Sequence, residues 1–234
     1  MGTNISYDID GVTYIGYLAE PEGAGLVPAV LVCHEGPGLD DHARSRADRL
    51  AALGYVAFAL DYHGGGVPVP LEEVMAKLGA LRSDTALTRL RGRAGLAILT
   101  AHPRTDTARV AAIGYCFGGT MALELGRGGE PLVAIVGFHS GLGTTDPADA
   151  ANISGKVLVC IGADDPLIPA EQRVGFEAEM RAAEVDWQMH LYGGVVHSFT
   201  NPNAGRMGRP GIAYHQGADE RSWQAMLGLF AEVF

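Results

Sequence analysis

Cys116 stands in Gly114-Tyr115-Cys116-Phe117-Gly118-Gly119, with a glycine two residues away on either side. The text before it, Ala111-Ala112-Ile113, is apolar, as a buried strand requires, and Met121-Ala122-Leu123-Glu124-Leu125 after it reads as a helix. A strand, one residue at a sharp corner and a helix make a nucleophile elbow. At such a corner the side chains two before and two after the nucleophile collide, and Gly114 and Gly118 remove that collision. The helix N-terminus favours an anion, so thiolate, the reactive form of cysteine, is stabilised there. The competing reading of the segment is a small buried cysteine before a glycine-rich turn. A base and an acid elsewhere in the chain decide between the two.

Both are offered at strand ends. One apolar run ends in Gly162-Ala163-Asp164-Asp165-Pro166-Leu167-Ile168-Pro169, and the last ends in Gly193-Gly194-Val195-Val196-His197-Ser198-Phe199. In this arrangement Cys116 attacks an acyl carbon, His197 relays the proton, and an aspartate holds the imidazole in the useful tautomer. Asp164 and Asp165 compete for the last role; the spacing from Gly162, with Pro169 closing the loop, favours Asp165 and leaves Asp164 facing solvent. The N–H of Phe117 and one from the Glu35-Gly36 loop, that of Gly36, would face the developing oxyanion. Nucleophile, carboxylate, histidine is the chain order of α/β-hydrolases.

His34, His63 and His139 end other strands and could line a pocket, His190 lies within a strand, and His42, His102 and His215 read as surface or loop positions. No histidine pair has helical metal-ligand spacing, and His34-Glu35 does not continue into a zincin motif, so no metal or other cofactor is expected.

The elements that must hold these residues alternate. Strands are expected over 5–9 and 12–19, turning at Asp10-Gly11, and over 29–33, 55–60, 110–115, 134–138, 157–162 and 186–191. Helices are expected over 41–53, from Pro70, from Ser83 to 100, after Gly119, over 169–183 and over 219–234. This is an α/β fold with a mainly parallel sheet, entered through an antiparallel hairpin, in one domain spanning 1–234. In such sheets chemistry collects at the carboxyl ends of the strands.

At 234 residues and 47% hydrophobic, the chain can bury a large core. A formal net charge of -10 argues against nucleic acid and anionic membrane as partners. No run reaches membrane-span length, and no charged-then-apolar leader opens the chain. Three cysteines, an odd and sparse set, read as reduced and cytoplasmic, with Cys33 and Cys160 as inert core residues. Met1-Gly2-Thr3-Asn4-Ile5-Ser6 matches an N-acylation pattern but runs straight into a strand, and Asn152-Ile153-Ser154 is a sequon that matters only on a secretory route.

With these residues in view, the chain resembles the dienelactone hydrolase family, a cysteine branch of the α/β-hydrolases. The resemblance rests on Gly114-Tyr115-Cys116-Phe117-Gly118-Gly119, on Asp165 and Pro169, on His197-Ser198-Phe199 and on Glu35, and covers nearly the whole chain. It implies that Glu35 takes the thiol proton in the resting site and so gates Cys116; the alternative is a carboxylate that braces its own loop. It also implies two arginines that grip a substrate carboxylate. Where the family carries them, this chain has Asp61-Tyr62-His63-Gly64 and Thr200-Asn201, with Arg206 and Arg209 further along as possible substitutes. A charged hydrogen bond is worth about 1.5–3 kcal/mol, so their loss points to neutral esters or lactones. The expected pocket is uncharged and lined by Tyr62, His63, Phe117, Phe138, Phe199 and Tyr214, under a flap formed by 193–217.

The leading expectation is therefore a small-molecule ester or lactone hydrolase working through a thioester, as a monomer or homodimer. The same thiolate could attack neutral phosphotriesters. A contrasting possibility is a non-enzymatic redox or ligand sensor built on an exposed, low-pKa cysteine.

Overall fold

Strands without polar alternation must be covered on both faces. Ala29-Val30-Leu31-Val32-Cys33 and Val56-Ala57-Phe58-Ala59-Leu60 are buried throughout. The computed structural model, which describes residues 2–234 apart from the Met207 side chain, shows how they are covered. The strands are β1 (Thr3–Ile9), β2 (Val12–Ala19), β3 (Val27–Cys33), β4 (Val56–Leu60), β5 (Thr105–Tyr115), β6 (Ala134–Phe138), β7 (Lys156–Gly162) and β8 (Trp187–Tyr192). The helices are α1 (Asp41–Ala52), α2 (Leu71–Ser83), α3 (Thr85–Thr100), α4 (Phe117–Arg127), α5 (Ala170–Ala182) and α6 (Gln216–Val233). Met1, where the acylation pattern begins, lies outside the described residues.

The described residues form one eight-stranded sheet in the order β1-β2-β4-β3-β5-β6-β7-β8. β1, β2 and β4 pair antiparallel; every pairing from β4 through β3 to β8 is parallel. Successive residues of β3 alternate faces. Ala29, Leu31 and Cys33 pack with α2, α3, α4 and α5, while Val30 and Val32 pack with α1 and α6. Burial raises the thiol pKa of Cys33, and it pushes that of Cys160 up to about 12. Neither thiol is a candidate nucleophile.

Three of the departures from the sequence expectation have a visible cause. β5 starts at Thr105 rather than 110: Thr105 pairs with Val27, the register then shifts, and pairing resumes with Val110 opposite Ala29. α4 begins at Phe117, so Gly118 and Gly119 lie inside its first turn. The polar stretch between β6 and β7 contains a 3-10 helix, Pro147–Asn152, capped by the Asp146 side chain.

Candidate active site

β5 lies mid-sheet, flanked by β3 and β6, and its carboxyl end turns at Cys116. Cys116 has φ 54° and ψ -120° and is the N-cap of α4. The corner is as tight as its glycines require. A Cβ on Gly114 would stand 2.1 Å from the Gly118 oxygen, and one on Gly118 would stand 2.2 Å from the Cys33 oxygen. The elbow is thus pressed against the end of β3 as well as against itself. Phe117 is the first residue of α4, where a backbone N–H has no intrahelical partner. Among the described non-glycine residues, five have positive φ: Asp10, Cys116, His139, Glu184 and Ser198. Cys116, His139 and Ser198 lie at this site, the clustering of strain that functional positions show.

The structure brings Asp165 to His197. His197 Nδ1 and Asp165 Oδ2 are 2.7 Å apart, both residues are buried, and Asp165 Oδ1 accepts the Leu167 N–H at 2.8 Å. Asp164 is exposed and makes no such bond. Burial opposes the charged imidazole, but the nearby Cys116 and Asp165 outweigh it and raise the His197 pKa to about 10. His197 Nε2 has no hydrogen-bond partner of normal geometry among the described residues, and the ring shares a cavity wall with Cys116.

Glu35 lies in the loop after β3, buried, with Oε2 accepting from Asn201 at 2.6 Å. Its Oε1 has no partner among the described residues; His139 Nε2 is 3.8 Å away. Burial raises the Glu35 pKa despite the hydrogen bond from Asn201. The loop is braced by its own carbonyls. Tyr62 donates its hydroxyl to the oxygens of His34 (3.1 Å) and Glu35 (2.9 Å), and Tyr62 stacks on His34 with ring centres 3.7 Å apart. His34 Nδ1 lies 2.6 Å from the Glu35 oxygen, and His63 Nε2 lies 2.8 Å from the Gly36 oxygen.

A cavity of about 590 Å³ opens over Cys116, Glu35, Gly36, Phe117 and His197. Of the aromatic pocket expected from sequence, only Phe117 lines it. Tyr62 is wholly buried beneath the Glu35-Gly36 loop, and His63 is buried beside it. Phe138 stacks on Tyr115 on the opposite face of the sheet, where Phe199 is also buried. Tyr214 turns away to Asp219 near α6. Large aromatic rings gain most from full burial, and all of these but the exposed Tyr214 took buried positions rather than a cavity wall.

The wall comes instead from α2 (Leu71, Val74, Met75, Leu78, Arg82) and the loop after Asp165 (Pro166, Leu167, Ile168). Arg209, Pro210 and Ile212, from the expected flap, also line it. The α2 residues recur at three- and four-residue steps, a helical stripe legible in the sequence. The cavity is not uncharged: Arg82 and Arg209 both line it, and neither is ion-paired among the described residues, whereas Arg206 lies outside it. His42, expected at the surface, is buried in α1 beside Arg46. Among the described residues no group of three His, Cys, Asp or Glu side chains could hold a metal ion, and no helix is long and apolar enough to cross a membrane.

Residues 15–234 match the Dienelactone hydrolase family. The crystal structure of a dienelactone hydrolase-like promiscuous phosphotriesterase from metagenomic libraries superposes with a TM-score of 0.96 at 44% identity, over 100% of this chain and 98% of that one. A putative carboxymethylenebutenolidase of Aquifex aeolicus is 29% identical over 208 residues, 86% of this chain and 88% of the relative. A probable 2-oxo-3-(5-oxofuran-2-ylidene)propanoate lactonase of a Bradyrhizobium species is 28% identical over 212 residues, 85% of this chain and 82% of the relative.

Proposed function

Since the chain belongs to the dienelactone hydrolase family and is a hydrolase, we propose that it cleaves small esters or lactones through a thioester on Cys116, with His197 and Asp165 completing the triad. The observation that carries this reading is the 2.7 Å bond from His197 to Asp165, with Nε2 left free beside a cysteine at a strained helix N-terminus. The thiolate attacks the acyl carbon, and the N–H groups of Phe117 and Gly36 stabilise the oxyanion. The tetrahedral adduct collapses as the C–O bond breaks, and the imidazolium of His197 hands its proton to the departing oxygen. Water, deprotonated by the now neutral imidazole, attacks the thioester and releases the acid and the thiolate. A His197 pKa of about 10 suits a resting thiolate–imidazolium pair. Glu35, whose pKa burial raises, is the alternative holder of the thiol proton before substrate binds.

The apolar wall formed by α2 and the loop after Asp165 accommodates a hydrophobic acyl or aryl group, and Arg82 and Arg209 extend the range to substrates with an anionic substituent. Nothing in the chemistry needs a cofactor, and two inert buried thiols beside one reactive thiol suit a reducing cytoplasm. A second reading, attack of the same thiolate on neutral phosphotriesters, is favoured by the 44% identical phosphotriesterase. The test is pre-steady-state hydrolysis of p-nitrophenyl acetate. A burst of p-nitrophenol equal to the enzyme concentration, abolished in Cys116→Ala, is expected; turnover unchanged in Cys116→Ala contradicts the reading.

A further inference from the structure

His139 is the first residue after β6 and is wholly buried, in left-handed backbone with φ 43°. Its own N–H is anchored to the Cys160 oxygen at 2.8 Å. The ring touches the machinery on several sides. Nδ1 accepts the backbone N–H of Cys116 at 3.1 Å, a bond shared with the Phe138 oxygen at 3.0 Å. Nε2 is 2.8 Å from Thr200 Oγ1, and that hydroxyl is 3.4 Å from His42 Nε2. The ring also meets His197 edge to face, with centres 5.2 Å apart.

Donor and acceptor bookkeeping settles the tautomer. An amide N–H only donates, so Nδ1 must carry the lone pair and Nε2 the proton. Nε2–H then donates to Thr200, whose own hydroxyl proton is free for His42 Nε2, which also accepts Arg46 Nε–H at 3.2 Å. Cys116 needs such a hold, because its φ of 54° persists only where the surroundings over-determine it.

We propose that His139 is a positioning residue for the nucleophile: its Nδ1 pins the backbone N–H of Cys116 and thereby aims the sulfur at His197 and at the substrate carbon. The proposal rests on Cys116 being the nucleophile. The groups facing the ring are His197 from the loop after β8, His42 and Arg46 from α1, and Glu35 from the loop after β3. Burial first, then the neighbouring His197, His42 and Arg46, keeps His139 neutral and its Nδ1 lone pair available.

Two substitutions separate the ring's atoms. In His139→Asn an amide oxygen replaces Nδ1 as acceptor and the contact to Thr200 is lost; asparagine also tolerates left-handed backbone. In His139→Gln the polar group lies further out, so the Thr200 bond is kept and the bond from Cys116 N–H is lost. For p-nitrophenyl acetate, His139→Gln should lower kcat about tenfold, the net contribution of one hydrogen bond, with KM little changed. Carbamidomethylation of Cys116 by iodoacetamide should slow in parallel and show an altered pH profile. His139→Asn should stay within about threefold of wild type, again less than one hydrogen bond. Equal losses in both variants, losses that only follow Tm, or wild-type kinetics in His139→Gln would overturn the proposal. Should His139→Gln not fold, the wild-type protein still decides. Two-bond nitrogen–proton NMR should show His139 protonated at Nε2 alone, and an Nδ1–H tautomer would overturn it. Neither tautomer depends on activity, and Cys116→Ala separately tests the reading beneath it.

Discussion

The inner and outer sides of the cavity are built differently. On the inner side, strand ends carry Glu35, Cys116, Asp165 and His197, and buried neighbours occupy nearly every donor and acceptor. Of these four side chains, Glu35 Oε1 and His197 Nε2 are the buried nitrogen and oxygen atoms without a partner among the described residues. On the outer side, Leu71, Met75 and Leu167 are about half exposed, and Arg82 and Arg209 have no ion-pair partner among the described residues. Geometry that bonds must hold to a fraction of an ångström sits on buried, bonded elements, while the outer wall is half open to solvent. Changes inside should cost rate; changes outside should shift preference.

The largest loss short of removing the nucleophile should come from Asp165→Asn. It should lower kcat/KM at least about a hundredfold, since the imidazole loses both its tautomer and its partner charge. The sign of the pH effect follows. Folding raises the His197 pKa from its ordinary 6.5 to about 10, with Asp165 contributing to the rise. The alkaline limb of wild-type activity should therefore fall near pH 10 and move to lower pH in the variant. The stabilisation tied to the protonated ring is complete below pH 6.5 and is lost as pH rises through about 10. The Tm gap between wild type and Asp165→Asn should narrow across that interval. An unmoved alkaline limb would mean that the coupling is absent.

Tyr62→Phe probes the inner side at one remove from the reacting atoms. It deletes the hydroxyl that holds the His34 and Glu35 oxygens, and it should reduce kcat about tenfold through a misplaced Gly36 N–H. A change in KM alone would place Tyr62 with the outer wall instead.

Much of this contrast was legible in the residues. β2 and β6 begin and end where apolar patterning puts them, and the glycines around Cys116 announce the corner. Asp165 was separable from Asp164 by its spacing from Gly162, which the bond to His197 matches. The cavity wall was not found, because proximity to a strand end does not say which face a side chain takes. Phe138 and Phe199 are close to the proposed catalytic residues in sequence or space yet belong to the core on the α1 and α6 face. The positive charge was missed for a related reason. Arg82 ends the apolar stripe of α2, and only the packing of that helix over Gly36 turns the stripe toward Cys116.

The smallest effect should come from the outer side. Arg82→Met should lower kcat/KM about two- to fivefold for an aryl ester carrying a carboxylate, the scale of an exposed charge pair, and leave its neutral counterpart unchanged. Equal losses on both esters would show that Arg82 acts through the fold rather than on substrate charge.

The central claim is the covalent step. Rapid acid quench of the protein with p-nitrophenyl acetate, followed by proteolysis and mass spectrometry, reads it directly. The account expects an acetyl group on the peptide containing Cys116, formed within the burst and lost on further incubation. Full turnover with Cys116 never acylated would contradict it.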